Sequence, residues 1–197
     1  MRRLLPAIAA LIIPIAIAAC GDDDPASTAT SAPSAAANGA GPTDEFNESD
    51  VLFAQQMIPH HQQAVEMAEI ALGSDVGASA DVVDLATRIE RAQAPEIDLM
   101  TSWLRDWGQP ANADAAGEMS SMDGMMTDEE VDELRDARRD EFDRMWLEMM
   151  IAHHEGAIVM AETEQDGGSS DDAISLAGDI IAAQRGEIDE MKQLLAD

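Results

Sequence analysis

After residue 44, apolar residues recur every three or four positions, which is the spacing of one face of an α-helix. No long stretch alternates apolar and polar residues as a half-buried strand would, and the helix formers Ala, Leu, Met, Glu and Gln dominate. Gly73, Gly108 and the DGGSS stretch mark places where helices end. The pattern predicts an all-α domain with helices over about 48–73, 80–107, 127–165 and 170–197.

The helical region contains an internal repeat. The segments MIPHHQQAVEMAEIAL from Met57 and MIAHHEGAIVMAETE from Met150 share a Met-Ile-x-His-His frame followed by Ala and Met-Ala. QAPEIDLMTSWL and QRGEIDEMKQLL, further along each half, share Gln, Glu-Ile-Asp, Met and a final Leu. A single helix pair cannot cover its apolar face, so the two copies, over about 48–107 and 128–197, should pack into a four-helix bundle.

The two halves are joined by the stretch GQPANADAAGEMSSMDGMM, which carries no helical pattern. A connection of about 19 residues is long for neighbouring helices. Its length suits a crossover that runs along the bundle, as in ferritin-like folds. The predicted fold is therefore a ferritin-like four-helix bundle with a long Met-rich connection between the second and third helices.

The first 43 residues differ in character from the helical region. Arg2 and Arg3 precede an apolar run that ends at Cys20, which predicts a signal peptide over 1–19. The ending Ile-Ala-Ala-Cys-Gly resembles a bacterial lipoprotein cleavage box, so Cys20 is the predicted lipidation site, although an ordinary secretory signal is the alternative. Residues 20–43 then form a disordered tether of small and polar residues before the bundle domain at 44–197.

Charge and cysteine content narrow the classes of function. The formal net charge of −29 excludes nucleic acid as a partner, because phosphates would be repelled. A lipidated Cys20, the only cysteine, leaves no thiol for a disulfide, a nucleophile or a thiolate metal site. We expect an exported protein held by its lipid on the outer face of the bacterial cell membrane; no sequence feature identifies a protein partner.

All four histidines lie in the repeated frame. Projection at 100° per residue places His61 and His154 in the middle of the apolar faces of their helices. His60 and His153, one residue earlier, fall at the margins of those faces. We therefore expect one imidazole of each pair in the core and the other at its edge.

The second helix of each half places polar residues on its apolar face. These are Gln93 and Glu96 in one copy and Gln184 and Glu187 in the other. Counting along antiparallel helices brings them to the depth of the core histidines, near the middle of the bundle. A buried carboxylate without a partner is costly, so the sequence predicts one polar layer of histidine, glutamine and glutamate.

Imidazoles from two helices and carboxylates from two others, at one depth, are the usual way in which a bundle builds a metal site. The residues three positions before each histidine are Met or Ile, so the Glu-x-x-His pattern of di-iron bundles is absent. Thioethers beside imidazoles favour copper, as Cu(I) or Cu(II), and another transition metal stays open. The predicted ligands are the four histidines with Glu96 and Glu187. Gln93 and Gln184 are predicted to contact these ligands and not the metal itself.

Methionines add candidate soft donors. The repeated frame contributes Met57, Met67, Met150 and Met160, although methionine at helical spacing is more often a core filler than a ligand. A second group of methionines lies in the connection between the halves, in a stretch rich in Gly, Ser and Asp that has no apolar face. These are Met119, Met122, Met125 and Met126. This loop either binds a soft ion or packs over the bundle.

The doubled His-His frame, the Met-Ala that follows it and the Gln-x-x-Glu-Ile helices resemble domain of unknown function 305. The resemblance covers about 48–107 and 128–197. It implies a ferritin-like four-helix bundle, exported or lipid-anchored in many members, with copper binding and tolerance in some. Its histidine and methionine positions fall on the residues named above, and it implies no catalytic activity.

Three hypotheses follow. The first is a lipid-anchored protein that sequesters or buffers copper. The second is a structural or interaction lipoprotein in which the His-Glu layer fixes helix register without metal. The third is a redox enzyme that acts on copper or a small oxidant, and the sequence favours a protein without catalytic turnover over this one.

Overall fold

A computed structural model of the protein describes residues 45–111 and 123–196, and within these ranges the regular elements are all helices. The predicted all-α fold is confirmed, with five helices in the described ranges: α1 Glu48–Leu72, α2 Ala80–Asp106, α3 Asp128–Asp136, α4 Asp140–Gly167 and α5 Asp171–Leu194. The predicted signal peptide, the lipidation site Cys20 and the tether lie outside the described residues, as do Met119 and Met122.

The third predicted helix is interrupted. It begins with the expected capping box, in which Thr127 Oγ1 accepts from the Glu130 amide and Glu130 accepts from the Thr127 amide. Helix α3 then ends at an extended Ala137, and Arg139 has a φ of 55°. The Arg139 amide donates to the Val76 carbonyl at 2.8 Å, in the turn between α1 and α2. The prediction of one continuous helix was therefore wrong, because a tertiary hydrogen bond stops the helix where no Gly or Pro does.

The helices form an antiparallel arrangement in which α1 packs on both α2 and α4, and α4 packs on α5. The start of α1 meets the end of α4, where Asn47 Nδ2 donates to the Gly167 carbonyl at 2.8 Å. The end of α2 lies there too, since the Phe46 ring stacks on Trp107 with centroids 4.8 Å apart. Helix α4 begins at the opposite end, beside the α1–α2 turn. The connection from α2 to α4 therefore joins opposite ends of the bundle, as the crossover prediction requires.

Two apolar clusters form the core, one toward each end of the bundle. One includes Leu85, Ile89 and Trp146, and the other includes Phe53 and Ile180. The four histidines lie between the parts of α1 and α4 that supply these clusters. Burial of the two clusters stabilises the fold, and the polar layer divides them. None of the described helices has the length and apolar character needed to cross a bilayer.

A buried carboxyl pair joins the start of α1 to the α4–α5 turn. Asp50 accepts from the backbone amides of Ser169 and Ser170, and Glu164 accepts from Ser49 Oγ at 3.1 Å. Burial, and then the neighbouring Asp50, raise the pKa of Glu164 to about 8. Burial also acts to raise the pKa of Asp50, but hydrogen bonds from Glu164 and the backbone amides outweigh it and lower that pKa. At neutral pH the pair therefore carries a single proton, held on Glu164.

Candidate metal centre

All four histidine side chains are fully buried, at 0% exposure. His60 on α1 and His153 on α4 face each other across the interface of these helices, with ring centroids 3.8 Å apart and planes tilted by 40°. This differs from the expectation that both rings lie at the edge of the core. The margin of the apolar face of α1 packs against the margin of the apolar face of α4, so a residue at each margin lies at the centre of the contact.

The other two histidines pair with glutamates of the neighbouring helices. His61 Nε2 lies 2.8 Å from Glu96 Oε2, and His154 Nε2 lies 2.7 Å from Glu187 Oε2. Counting along antiparallel helices thus brought together the correct residues. The glutamates are less buried than their position on an apolar face suggested, at 23% and 14% side-chain exposure. Each carboxylate reaches inward to a buried imidazole and keeps part of its hydration.

This pairing with glutamate selects the tautomer of His61 and His154. An ionised glutamate only accepts hydrogen bonds, so Nε2 of His61 and of His154 carries the hydrogen. In the neutral form of each imidazole Nδ1 then keeps its lone pair, and neither Nδ1 has a partner among the described residues. A carboxylate behind an imidazole whose other nitrogen is free is the arrangement that orients histidine toward a metal.

Further buried polar atoms lack partners in the part of the chain that the structure describes. No hydrogen bond of good geometry from the described residues reaches either ring nitrogen of His60 or of His153, or Oε1 of Gln93 and of Gln184. The Asp123 backbone lies close enough to His60 to act on its pKa but not in the geometry of a hydrogen bond. Buried polar atoms in folded proteins are almost always hydrogen-bonded. In the histidine layer the unpaired atoms are the same in both halves of the repeat, so both halves present free polar atoms to the same region of the core.

The two facing histidines are neutral at physiological pH. Burial, and then the adjacent His61, lower the pKa of His60 to about 3 and outweigh the opposite influence of the Asp123 backbone. Burial, and then His60, hold the pKa of His153 well below its usual value. A metal binds only the deprotonated form of imidazole. Both rings therefore offer lone pairs at neutral pH.

The oxygen and nitrogen donors come together in pairs. Within residues 45–111 and 123–196, no group of three or more His, Cys, Asp or Glu side chains is arranged to hold a metal ion. Met57, Met67 and Met150 are fully buried and Met160 is partly buried. Met67 and Met150 lie in the core cluster on one side of the histidine layer, whereas Met57 lies in the other. These methionines thus fill the core on both sides of the histidine layer.

The end of the crossover lies against the histidine layer. Met125 and Met126 are partly buried, and the Met126 backbone forms two hydrogen bonds with the side chain of Gln63. Gly156 of α4 contacts the same stretch. Gln63 and Gly156 were not predicted as site residues. An alignment of the two repeats could have identified them, since each lies three residues after the first histidine of its pair and the residue differs between the halves.

Comparison with known families and structures gives a consistent result. A family model described as "Domain of unknown function (DUF305)" matches residues 50–195. No curated protein matches the chain.

Several solved structures resemble the protein. A DUF305 protein of Streptomyces coelicolor, provisionally described as secreted, is 32% identical, with a TM-score of 0.69 over 75% of this chain and 92% of its own. A DUF305 fragment from Deinococcus radiodurans is 32% identical, with a TM-score of 0.68 over 76% and 97%. CopM in its Cu(II)-bound form is 32% identical, with a TM-score of 0.63 over 75% and 95%. CopM is also known in Cu(I)-bound, silver-bound and apo forms.

Proposed function

Since the chain belongs to the DUF305 family, we propose that it is an exported protein that sequesters or buffers copper in the core of its helical bundle. The observation that carries this proposal is the set of unpaired ring nitrogens where α1 meets α4. CopM, a protein of similar fold with copper-bound and silver-bound forms, makes copper the first metal to test.

The residues have distinct roles in this proposal. His60 and His153 supply nitrogen donors from opposite halves of the repeat, and His61 and His154 add their Nδ1 atoms. Buried thioethers on the same helices supply the soft donors that favour Cu(I). Glu96 and Glu187 are outer residues that orient imidazoles, which changes the role expected from the sequence, where they were ligands.

We place the protein outside the cytoplasm, held at the membrane surface by a lipid on Cys20. The support is the sequence of the first 20 residues, in which a basic start and an apolar run precede this cysteine. The tether that follows would let the bundle bind ions close to the membrane without inserting into it.

A metal-free structural layer is the second candidate. The observation that favours it is that the described His, Asp and Glu side chains meet in pairs and form no larger cluster. In that case His61–Glu96 and His154–Glu187 would serve as buried hydrogen bonds that fix helix register.

Titration separates these candidates. We expect the purified protein to withdraw Cu(I) from a chromophoric chelator, and His60→Ala/His153→Ala to lose that capacity. The control is Gln62→Ala/Glu155→Ala, which changes the exposed neighbours of the two histidines on the same helices. Titrations with Cu(II) and Zn(II) establish the preferred ion. Equal copper stoichiometry in the wild type and the histidine variant would contradict the site.

A further inference from the structure

The repeat breaks its symmetry beside the histidine frame. Three residues after His60 the first half has Gln63, and three residues after His153 the second half has Gly156. Both residues contact the end of the crossover, residues 123–126, which we call the strap. The two halves thus differ where a single chain segment crosses between them.

On α4, the strap contact depends on the absence of a side chain. A methyl group at Gly156 would overlap the carbonyl group of Asp123. Gly124, with a φ of 83°, lies so near α4 that its own methyl group would be 2.5 Å from the Ala152 carbonyl oxygen and 3.1 Å from that of His153. The strap backbone therefore lies directly on the helix, in a conformation that favours glycine.

On α1, the strap is held by an amide side chain. Gln63 Nε2 donates to the Met126 carbonyl at 2.8 Å, and Gln63 Oε1 accepts from the Met126 amide at 2.8 Å. A primary amide can pair in this way with the N–H and the carbonyl of one backbone residue, using one of its own N–H groups and its oxygen. Gln63 thereby holds the C-terminal end of the strap, at Met126, on α1.

The strap crosses the helix interface over the facing imidazoles. Its two attachment points lie one helical turn beyond His60 and His153, on the helices that carry them. The imidazoles have no solvent exposure with the strap in place. Separating α1 from α4 would expose two apolar clusters, whereas lifting the strap breaks the two hydrogen bonds of Gln63, the close backbone contacts with α4 and the packing of Met126 at the edge of one cluster. Lifting the strap therefore costs less free energy than separating the two helices, and local opening favours it.

We propose that the strap is the gate through which an ion exchanges with the His60–His153 pair, and that Gln63 and Gly156 are the residues that position it. This inference rests on the proposed copper binding. The competing route runs between α2 and α5, on the side where the carboxylates of Glu96 and Glu187 are partly exposed.

The first test needs no metal. Diethyl pyrocarbonate acylates neutral, accessible imidazoles, and mass spectrometry of the metal-free protein gives the rate at His60 and His153. We expect Gln63→Ala and Gly156→Ala each to raise that rate about tenfold, since the first removes two hydrogen bonds to the strap and the second places a methyl group where the Asp123 carbonyl lies. Matched controls are Gln62→Ala, an exposed neighbour of Gln63, and Gly186→Ala, where a methyl group meets no atom within 4 Å.

The second test follows the ion. The wild-type protein is loaded with Cu(I), and its transfer to an excess of chelator is measured by stopped flow. We expect Gln63→Ala and Gly156→Ala to speed transfer about tenfold with unchanged stoichiometry, because an open strap accelerates both entry and exit. Circular dichroism establishes that each variant is folded, and two different variants guard against a local defect in either.

The outcomes separate the inference from the function on which it rests. A wild-type protein that binds no copper would end the proposed function, while the acylation rates would still report whether the strap shields the histidines. Copper binding with wild-type transfer and acylation rates in both strap variants would overturn the gate. An equal rise in Gln62→Ala or Gly186→Ala would overturn it as well, because general loosening would then explain the effect.

Discussion

At the scale of single residues, the sequence predicted which histidine meets which glutamate, and the roles of these residues stay predictions. Helical counting paired His61 with Glu96 correctly, since depth along a helix follows from a fixed rise per residue. It could not show that Glu96 sits at the rim with its oxygen on Nε2, because that depends on a rotamer and on the packing of neighbours. The contact with His61 supports the proposal that Glu96 orients an imidazole, whereas the sequence alone predicted a ligand.

Neutralising the two glutamates tests that change of role. We expect Glu96→Gln/Glu187→Gln to bind the same number of copper ions with affinity lower by about 10- to 100-fold, as for other carboxylates behind metal-binding histidines. Competition with a chelator measures both quantities. Asp98→Asn/Asp189→Asn is the control, since it removes two charges from exposed positions on the same helices. A lower stoichiometry in the glutamine variant would make the glutamates direct ligands.

At the scale of helices, the boundaries that have local causes were predictable. The Thr127–Glu130 capping box and the stops at Gly73 and Gly108 were visible in the sequence. The break between α3 and α4 was not, because its residues are good helix formers and the cause is the Val76 carbonyl on a distant turn. The depth of His60 was missed for a related reason, since the projection of one helix does not reveal which helix packs against it.

The junction of α1 with the α4–α5 turn makes stability depend on pH through Glu164. Its pKa is about 8 in the folded protein and near the ordinary value in the unfolded chain, so the folded state keeps a proton that the unfolded state has lost. Stability from this group is therefore greatest in acid and is lost as the pH rises toward and through about 8. We expect Glu164→Gln to remove that loss and to stabilise the protein in alkali by about 1 to 2 kcal/mol after allowance for solvent screening.

Urea unfolding of the metal-free protein at acid, neutral and alkaline pH checks this expectation. The control is Asp166→Asn, an exposed acid two residues further along the same helix. If the wild type and Glu164→Gln lose stability in parallel as the pH rises, the buried proton is not on Glu164.

At the scale of the whole molecule, the repeat and the helical periodicity were enough to predict a bundle with a crossover. The arrangement that brings His60 against His153 also joins the two halves of the chain, since α1 and α4 belong to different repeats. An ion held between them would link the halves in the folded state and would lose that link on unfolding.

Copper should therefore stabilise the protein as a whole. A ligand that binds only the folded state contributes about 4 kcal/mol when its free concentration is a thousandfold above Kd. We expect Cu(I) to raise the Tm measured by circular dichroism, a chelator to reverse the rise, and His60→Ala/His153→Ala to show none. A rise of equal size in that variant would place the bound ion elsewhere, with the methionines of the crossover as the next candidates.

The position shared by Gln63 and Gly156 also bears on the history of the molecule. A lone helix pair could bring two such imidazoles face to face only by dimerising with its twin, and both partners would then carry the same residue at that position. One partner could not then contact the strap through a glutamine side chain while the other contacted it through the backbone of a glycine. The unequal attachment of the strap therefore requires both copies in one chain, so the proposed gate could have arisen only after the duplication.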